Sequence, residues 1–225
     1  MHQLPVYIEI VFILGILLAL LLLYKATHYS RSVMMIVLSW LVLQSIISIS
    51  GFYTVTTGAP PRIGLLLLPP MIIIATLFFT KKGRGLIDGF DVRTLTLIHL
   101  VRIPVELTLY WLFLRNVVPK IMTFEGRNFD ILCGLTAPFV YYFGYVKSSM
   151  SRNVLLAWNV LCVLLLANIV ITAILSTPSP IQQFAFDQPN IAIFYFPYAL
   201  LPGLLVPVVL LAHLVAIRQL LKAKS

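Results

Sequence analysis

Seven long apolar runs constrain this chain more than any other feature of its sequence. A helix needs about 20 mostly apolar residues to cross the hydrocarbon core of a bilayer. The runs cover residues about 5–24, 33–53, 63–80, 94–114, 129–146, 154–175 and 191–217. We therefore expect an all-α, polytopic membrane protein, a bundle of seven transmembrane helices that forms one domain over residues 1–225.

The composition excludes the soluble classes of protein. Of the 225 residues, 60% are hydrophobic and 10% are charged, whereas a typical soluble domain is about 45–50% apolar and about 25% charged. A soluble domain of this size cannot bury so much apolar surface. We expect the lipid bilayer to be its main partner, and we exclude a soluble enzyme, a disordered chain and a disulfide scaffold.

The basic residues indicate the orientation of the chain. Eleven of the 16 Lys and Arg residues fall in connections on one predicted side and four on the other, with Arg102 inside the fourth run. Lys and Arg accumulate in cytoplasmic loops, so we expect an external N-terminus and a cytoplasmic C-terminus in a cell membrane. The net charge of +9 is spread along the chain without a long basic run, and we expect no nucleic-acid partner.

The fourth run contains the densest group of ionisable residues, in the segment HLVRIPVEL. His99, Arg102 and Glu106 have the spacing of one helical face, and Arg102 and Glu106 lie on either side of the predicted bilayer midplane. An arginine at this depth costs about 2.5–3.5 kcal/mol on insertion scales, and such residues commonly mark function. The pattern predicts a ligand site or a proton pathway. An Arg102–Glu106 pair that only joins helices is the alternative.

Further polar residues fall in the predicted outer halves of neighbouring spans. They are Glu9, Arg62, Arg127 and Asp130. Together they predict a polar funnel open to the outside, walled by spans one, three, four and five, in which Glu9 or Asp130 approaches one of the arginines. Each residue alone is also typical of an interfacial anchor. Gln44, near the midplane of the second span, is a further candidate, although amides often only pack membrane helices together.

His99 and His213 occur at similar predicted depth in the fourth and seventh spans. Two such histidines could hold a haem b group, because histidine is a common axial ligand of haem iron. Cys133 and Cys162 form no metal-binding motif. We otherwise expect no cofactor and no metal ion.

These residues favour the binding or transport of a small molecule, anionic or lipid-like, or of protons. The first alternative is an intramembrane enzyme that acts on a lipid or lipid-like substrate, with Glu106 and His99 as acid and base. The second is a haem-containing or sensory subunit of a membrane complex.

Overall fold

The computed structural model describes residues 4–56 and 62–222, which form helices and turns and no strand. The helices are α1 (Val6–Ala26), α2 (Arg31–Ile49), α3 (Gly64–Phe79), α4 (Lys81–Asp88), α5 (Val92–Ile98), α6 (Arg102–Leu114), α7 (Ile131–Phe139), α8 (Arg152–Leu175) and α9 (Val206–Lys222). A 3₁₀ turn at His99–Val101 joins α5 to α6. Wide π-type turns continue α7 over Val140–Val146 and precede α9 over Leu201–Leu205.

Five helical segments are long and apolar enough to cross a membrane. They are Val6–Ala26, Arg31–Ile49, Val92–Leu114, Arg152–Leu175 and Leu201–Lys222. Helices α3 and α4 meet at a bend of 92° and make a sixth candidate if they are counted as one span. The segment Ile131–Val146 is apolar but shorter than the roughly 20 residues of a full span. An all-helical protein with five or six candidate spans is compatible with a membrane protein.

The last span begins about ten residues later than the sequence predicts, so its predicted start at 191 is wrong. Only a short 3₁₀ helix forms over Ala192–Phe194, and the N–H groups of Ile191 and Ala192 both donate to the Val117 carbonyl at 3.1 Å. Pro197 and Pro202 follow, and neither has an N–H for a helical hydrogen bond. Prolines therefore delay the continuous helix until after this segment.

A third proline leaves a carbonyl of the last span available for a hydrogen bond from the peripheral helix α2. Pro207 cannot donate to the carbonyl of Gly203, four residues earlier. The indole N–H of Trp40, on α2, donates to that carbonyl at 2.8 Å. This bond ties α2 to the turn at the start of the last span.

The core lies around α5, α6 and α9, the most buried of the candidate spans. Helix α1 packs against α5 and α6 through an inward stripe at helical spacing that includes Ile8, Phe12 and Ile16. Its opposite face, like most of α2, carries exposed large aliphatic side chains. Large exposed apolar faces of this kind are typical of surfaces that contact lipid.

A charged cluster joins α4 to the end of α9. Arg218 donates to the Asp88 carboxylate at 2.7 and 3.1 Å, and Lys222 also pairs with it. Hydrogen bonds from Arg218 and Lys222 lower the pKa of Asp88 to about 2. Helix α4 carries several charged side chains in eight residues, so we place it outside the hydrocarbon core, at the end of the bundle where α9 ends.

Candidate functional site

A cavity of about 510 Å³ lies toward the end of the bundle at which α3 and α9 begin. Its wall is formed mainly by apolar side chains of α3, α6, α8 and the wide turn before α9. They include Leu65, Leu67, Leu68, Val105, Leu109, Leu166, Ile169, Val170, Ala173, Leu201 and Val206. The charged residues in the wall are Arg62, Glu106 and Asp130. The volume lies within the range of about 300–1,000 Å³ that is common for small-molecule sites.

Glu106 brings a carboxyl group to this wall from the middle of α6. Only 1% of the residue is exposed. Both carboxyl oxygens accept from the Asn128 side-chain amide, at 2.6 and 2.7 Å. Within residues 4–56 and 62–222, no lysine or arginine forms an ion pair with Glu106, so a neutral amide is the side-chain hydrogen-bond donor to its carboxyl group.

The loop between α6 and α7 positions both carboxyl groups through Asn128. The side-chain amide of Asn128 also donates to the Met122 carbonyl at 3.0 Å, and its backbone N–H donates to the Thr123 carbonyl at 3.3 Å. Its side-chain oxygen accepts from the Asp130 N–H at 3.1 Å. A single asparagine thereby fixes Glu106 and places Asp130 beside it.

Arg102 lies behind Asp130, away from the cavity wall. Its guanidinium pairs with the Asp130 carboxylate and contacts Nε2 of His213 at 3.0 Å. Because an arginine can only donate, Nε2 of His213 accepts, and the ring proton lies on Nδ1. That nitrogen lies 2.8 Å from Oδ1 of Asn159. The Nδ1–H group therefore donates, and the amide oxygen accepts. The chain of polar groups thus runs from the cavity to α9 and α8.

His99 stacks on His213 with 3.7 Å between ring centroids and 13° between ring planes. The Trp158 ring contacts both, at 5.5 and 5.6 Å. Both nitrogens of His213 already take part in hydrogen bonds, so the haem alternative gains no support from this placement. Nδ1 of His99 and Nε of Arg102 are buried without a hydrogen-bond partner among the described residues.

Close packing of α7 against the α5–α6 span holds Arg102 and Asp130 together. A Cβ atom on Gly134 would lie 3.0 Å from Cγ1 of Ile103, 3.2 Å from the His99 carbonyl and 3.3 Å from Cβ of Arg102. Only glycine leaves room for this approach.

The α5 end of the same span begins at Asp91, whose carboxylate accepts from the N–H groups of Arg93 and Thr94 as an N-cap.

The structure brings some of the predicted site residues together and separates others. Of the predicted approaches of Glu9 or Asp130 to an arginine, the structure shows Asp130 beside Arg102. Arg62 lines the cavity, where it donates to the Phe52 carbonyl at 3.2 Å and lies 4.6 Å from the centre of that ring. An Arg102–Glu106 ion pair does not occur among the described residues.

The remaining three predicted residues lie outside the cavity wall. Glu9 is half-buried on α1, near Tyr198. Gln44 is buried and accepts from the Tyr53 hydroxyl at 2.5 Å. Arg127 is exposed, and its backbone carbonyl accepts from Asn168 at 2.9 Å. The described part of span one therefore supplies no residue to the wall, whereas α8 and the turn before α9 supply many.

Sequence reasoning missed Asn128 and the role of Asn159. Both are buried and both join ionisable residues. An asparagine in or beside an apolar run is also typical of simple helix packing, and only the contact with a charged group distinguishes the two cases. Among the described residues, no group of three His, Cys, Asp or Glu side chains is arranged to hold a metal ion.

Residues 60–221 match a family described as a domain of unknown function, DUF8737. The chain belongs to this family. The part that matches the DUF8737 family contains every residue of the polar chain from Glu106 to Asn159, while α1 and α2 precede it. No curated protein and no solved structure matches the chain.

Proposed function

We propose that this DUF8737 protein is an integral membrane protein that binds or transports a small lipid-like molecule in the cavity. The single observation that carries the proposal is a cavity of about 510 Å³ with apolar walls and the carboxyl groups of Glu106 and Asp130 among them. Sites for small molecules commonly combine such walls with a few polar groups that fix the orientation of the ligand.

The proposal includes a topology. The chain crosses the membrane seven times, with α3 and Ile131–Val146 as its short spans, an external N-terminus and a cytoplasmic C-terminus. The excess of Lys and Arg in alternate connections supports this orientation. The cavity then lies in the outer half of the bundle, and the Asp88 cluster lies at the cytoplasmic surface.

Arg102 has a supporting role in this proposal. It holds Asp130 in place from behind the wall and does not itself contact the ligand. This arrangement explains why an arginine is placed near the midplane, because its charge is balanced by Asp130 and its second partner is a histidine nitrogen.

A bulky substitution in the wall tests the proposal. Ala173, on α8, lines the cavity, and Ala173→Phe would place a ring in the space of the ligand. We expect purified protein in phosphatidylcholine nanodiscs to bind radiolabelled dodecanol saturably, with empty nanodiscs as background. Ala173→Phe should weaken that binding at least about tenfold, since the ligand would have to displace the ring.

Ala157→Phe is the matched control, because Ala157 lies exposed on the same helix and outside the wall. It should bind dodecanol as the wild type does. Equal binding by Ala173→Phe and wild type, or no saturable binding by the wild type to any alkyl probe, would refute the proposal.

A further inference from the structure

We infer that the cavity selects an alkyl chain with a cationic head group, such as a long-chain primary amine, whose ammonium group binds at Glu106. This inference rests on the proposed function and names its ligand class. It departs from an anionic ligand, one of the alternatives that the sequence leaves open, because the structure places Arg102 behind Asp130.

The charges around the inner part of the cavity carry the inference. Arg102 and Asp130 balance each other as a buried ion pair, with 3% and 7% of their side chains exposed. Glu106 has a neutral amide as its hydrogen-bond donor. Ionisation of Glu106 would leave the three groups with one excess negative charge, which an ammonium group beside Glu106 would compensate. A buried carboxylate is costly until a cation pairs with it.

The side chains that line this part of the cavity disfavour an anionic head group. Glu106 and Asp130 both line the wall, whereas Arg102 does not. Arg62 is the one arginine among the described lining residues, and it already contacts the carbonyl and the ring of Phe52. An anion at Glu106 would therefore lie beside two carboxyl side chains, those of Glu106 and Asp130.

The head group, more than the tail, should decide which molecule binds. An alkyl tail that moves from lipid into an apolar cavity exchanges one apolar environment for another, so its transfer contributes little selectivity. The ammonium group gains a charge-assisted hydrogen bond to Glu106 that it does not have among lipid tails. Amphiphiles with equal tails and different heads therefore isolate the interaction.

The experiment compares dodecylamine, dodecanol and dodecanoate at neutral pH in phosphatidylcholine nanodiscs. An alkylamine is protonated there, as a lysine is. We expect dodecylamine to bind at least about tenfold more tightly than dodecanol, the effect of one hydrogen bond to a charged group, and dodecanoate to bind most weakly. Glu106→Gln should bring dodecylamine to within about twofold of dodecanol. Glu125→Gln, an exposed loop carboxylate outside the wall, should keep the wild-type order.

The outcomes separate this inference from the proposed function. If the wild type binds dodecanol as tightly as dodecylamine and Ala173→Phe abolishes both, the cationic selectivity is refuted and the cavity proposal stands. Tightest binding of dodecanoate also refutes the inference. If none of the three probes binds saturably, both proposals fail. The order of the probes on wild-type protein decides the inference even if Glu106→Gln does not fold.

Discussion

At the residue scale, Arg102 and Asp130 form an ion pair that is buried in the interior of the protein. Removing two charges from water costs several kcal/mol per ion, and close pairing repays that cost only when the remaining donors and acceptors are satisfied. His213 accepts one guanidinium hydrogen bond, whereas Nε of Arg102 has no partner among the described residues. The cost of the pair therefore depends on its neutral neighbours as well as on its charges.

A double-mutant cycle tests this dependence. Arg102→Gln leaves the Asp130 carboxylate buried without a cation, which should lower the free energy of unfolding by about 3 kcal/mol. Asp130→Asn should have a similar effect through the unpaired guanidinium. The double variant should be more stable than the sum of the two losses predicts, by about 1 kcal/mol or more. Unfolding in detergent micelles measures all three, and simple additivity would contradict the argument.

At the element scale, the contact of α7 with the α5–α6 span depends on Gly134. Alanine at this position would force Ile103, the His99 carbonyl and Arg102 to move by a few tenths of an ångström, because the new methyl group would lie 3.0–3.3 Å from them. The interior of a packed bundle has little free space for such a shift. The glycine thus sets the distance between the two helices that carry the ion pair.

Gly134→Ala should therefore lower the thermal unfolding midpoint, although alanine favours a helix more than glycine does. Gly15→Ala is the matched control. Its nearest neighbour would be Cγ of Pro104 at 3.4 Å, an ordinary contact, so the midpoint should stay unchanged or rise. Circular dichroism during heating of the purified variants measures both. A midpoint for Gly134→Ala at or above that of Gly15→Ala would show that α7 can move away freely.

The 3₁₀ turn at His99–Val101 is a feature of the fourth span that the sequence does not predict. A regular α-helix would place His99, Arg102 and Glu106 on one face, but a 3₁₀ turn has about 3.0 residues per turn instead of 3.6. The turn changes the position of His99 relative to Arg102 and Glu106, which both lie on α6. Arg102 contacts Asp130 and His213, while Glu106 contacts Asn128 and the cavity. Hydropathy predicts where the span lies; it does not predict this local change of helix type.

At the scale of the whole molecule, apolar runs predict most of the architecture because each backbone group in a lipid environment must be paired within its own helix. The predicted start of the last span fails before Pro197, where hydropathy stays high but a backbone donor is missing. The shared external side of the polar residues predicts that Glu9 or Asp130 approaches one of three arginines, but it does not single out the pair of Asp130 and Arg102. The pairing of Glu106 with Asn128 is not predictable from the sequence, because it depends on the fold of a loop.

The seven-span topology predicts that the loops before and after Ile131–Val146 lie on opposite sides of the membrane. Lys120 and Ser149 are exposed in these loops, and the two natural cysteines are buried. In intact cells, a membrane-impermeant maleimide should label Lys120→Cys at once and Ser149→Cys only after permeabilisation. Labelling of both from the same side would show that Ile131–Val146 does not cross the membrane.

The ion pair of Arg102 also imposes an order on the assembly of the protein during its synthesis. Asp130 follows Arg102 by 28 residues and His213 follows it by 111. At about 5–20 residues per second, the ribosome adds His213 roughly 6–20 s after Arg102. The nascent chain must therefore shield the guanidinium with the next hydrophobic segment long before its last partner exists. In the proposed topology, we expect Asp130 to neutralise this charge as α6 and α7 insert together, and α9 to complete the site later.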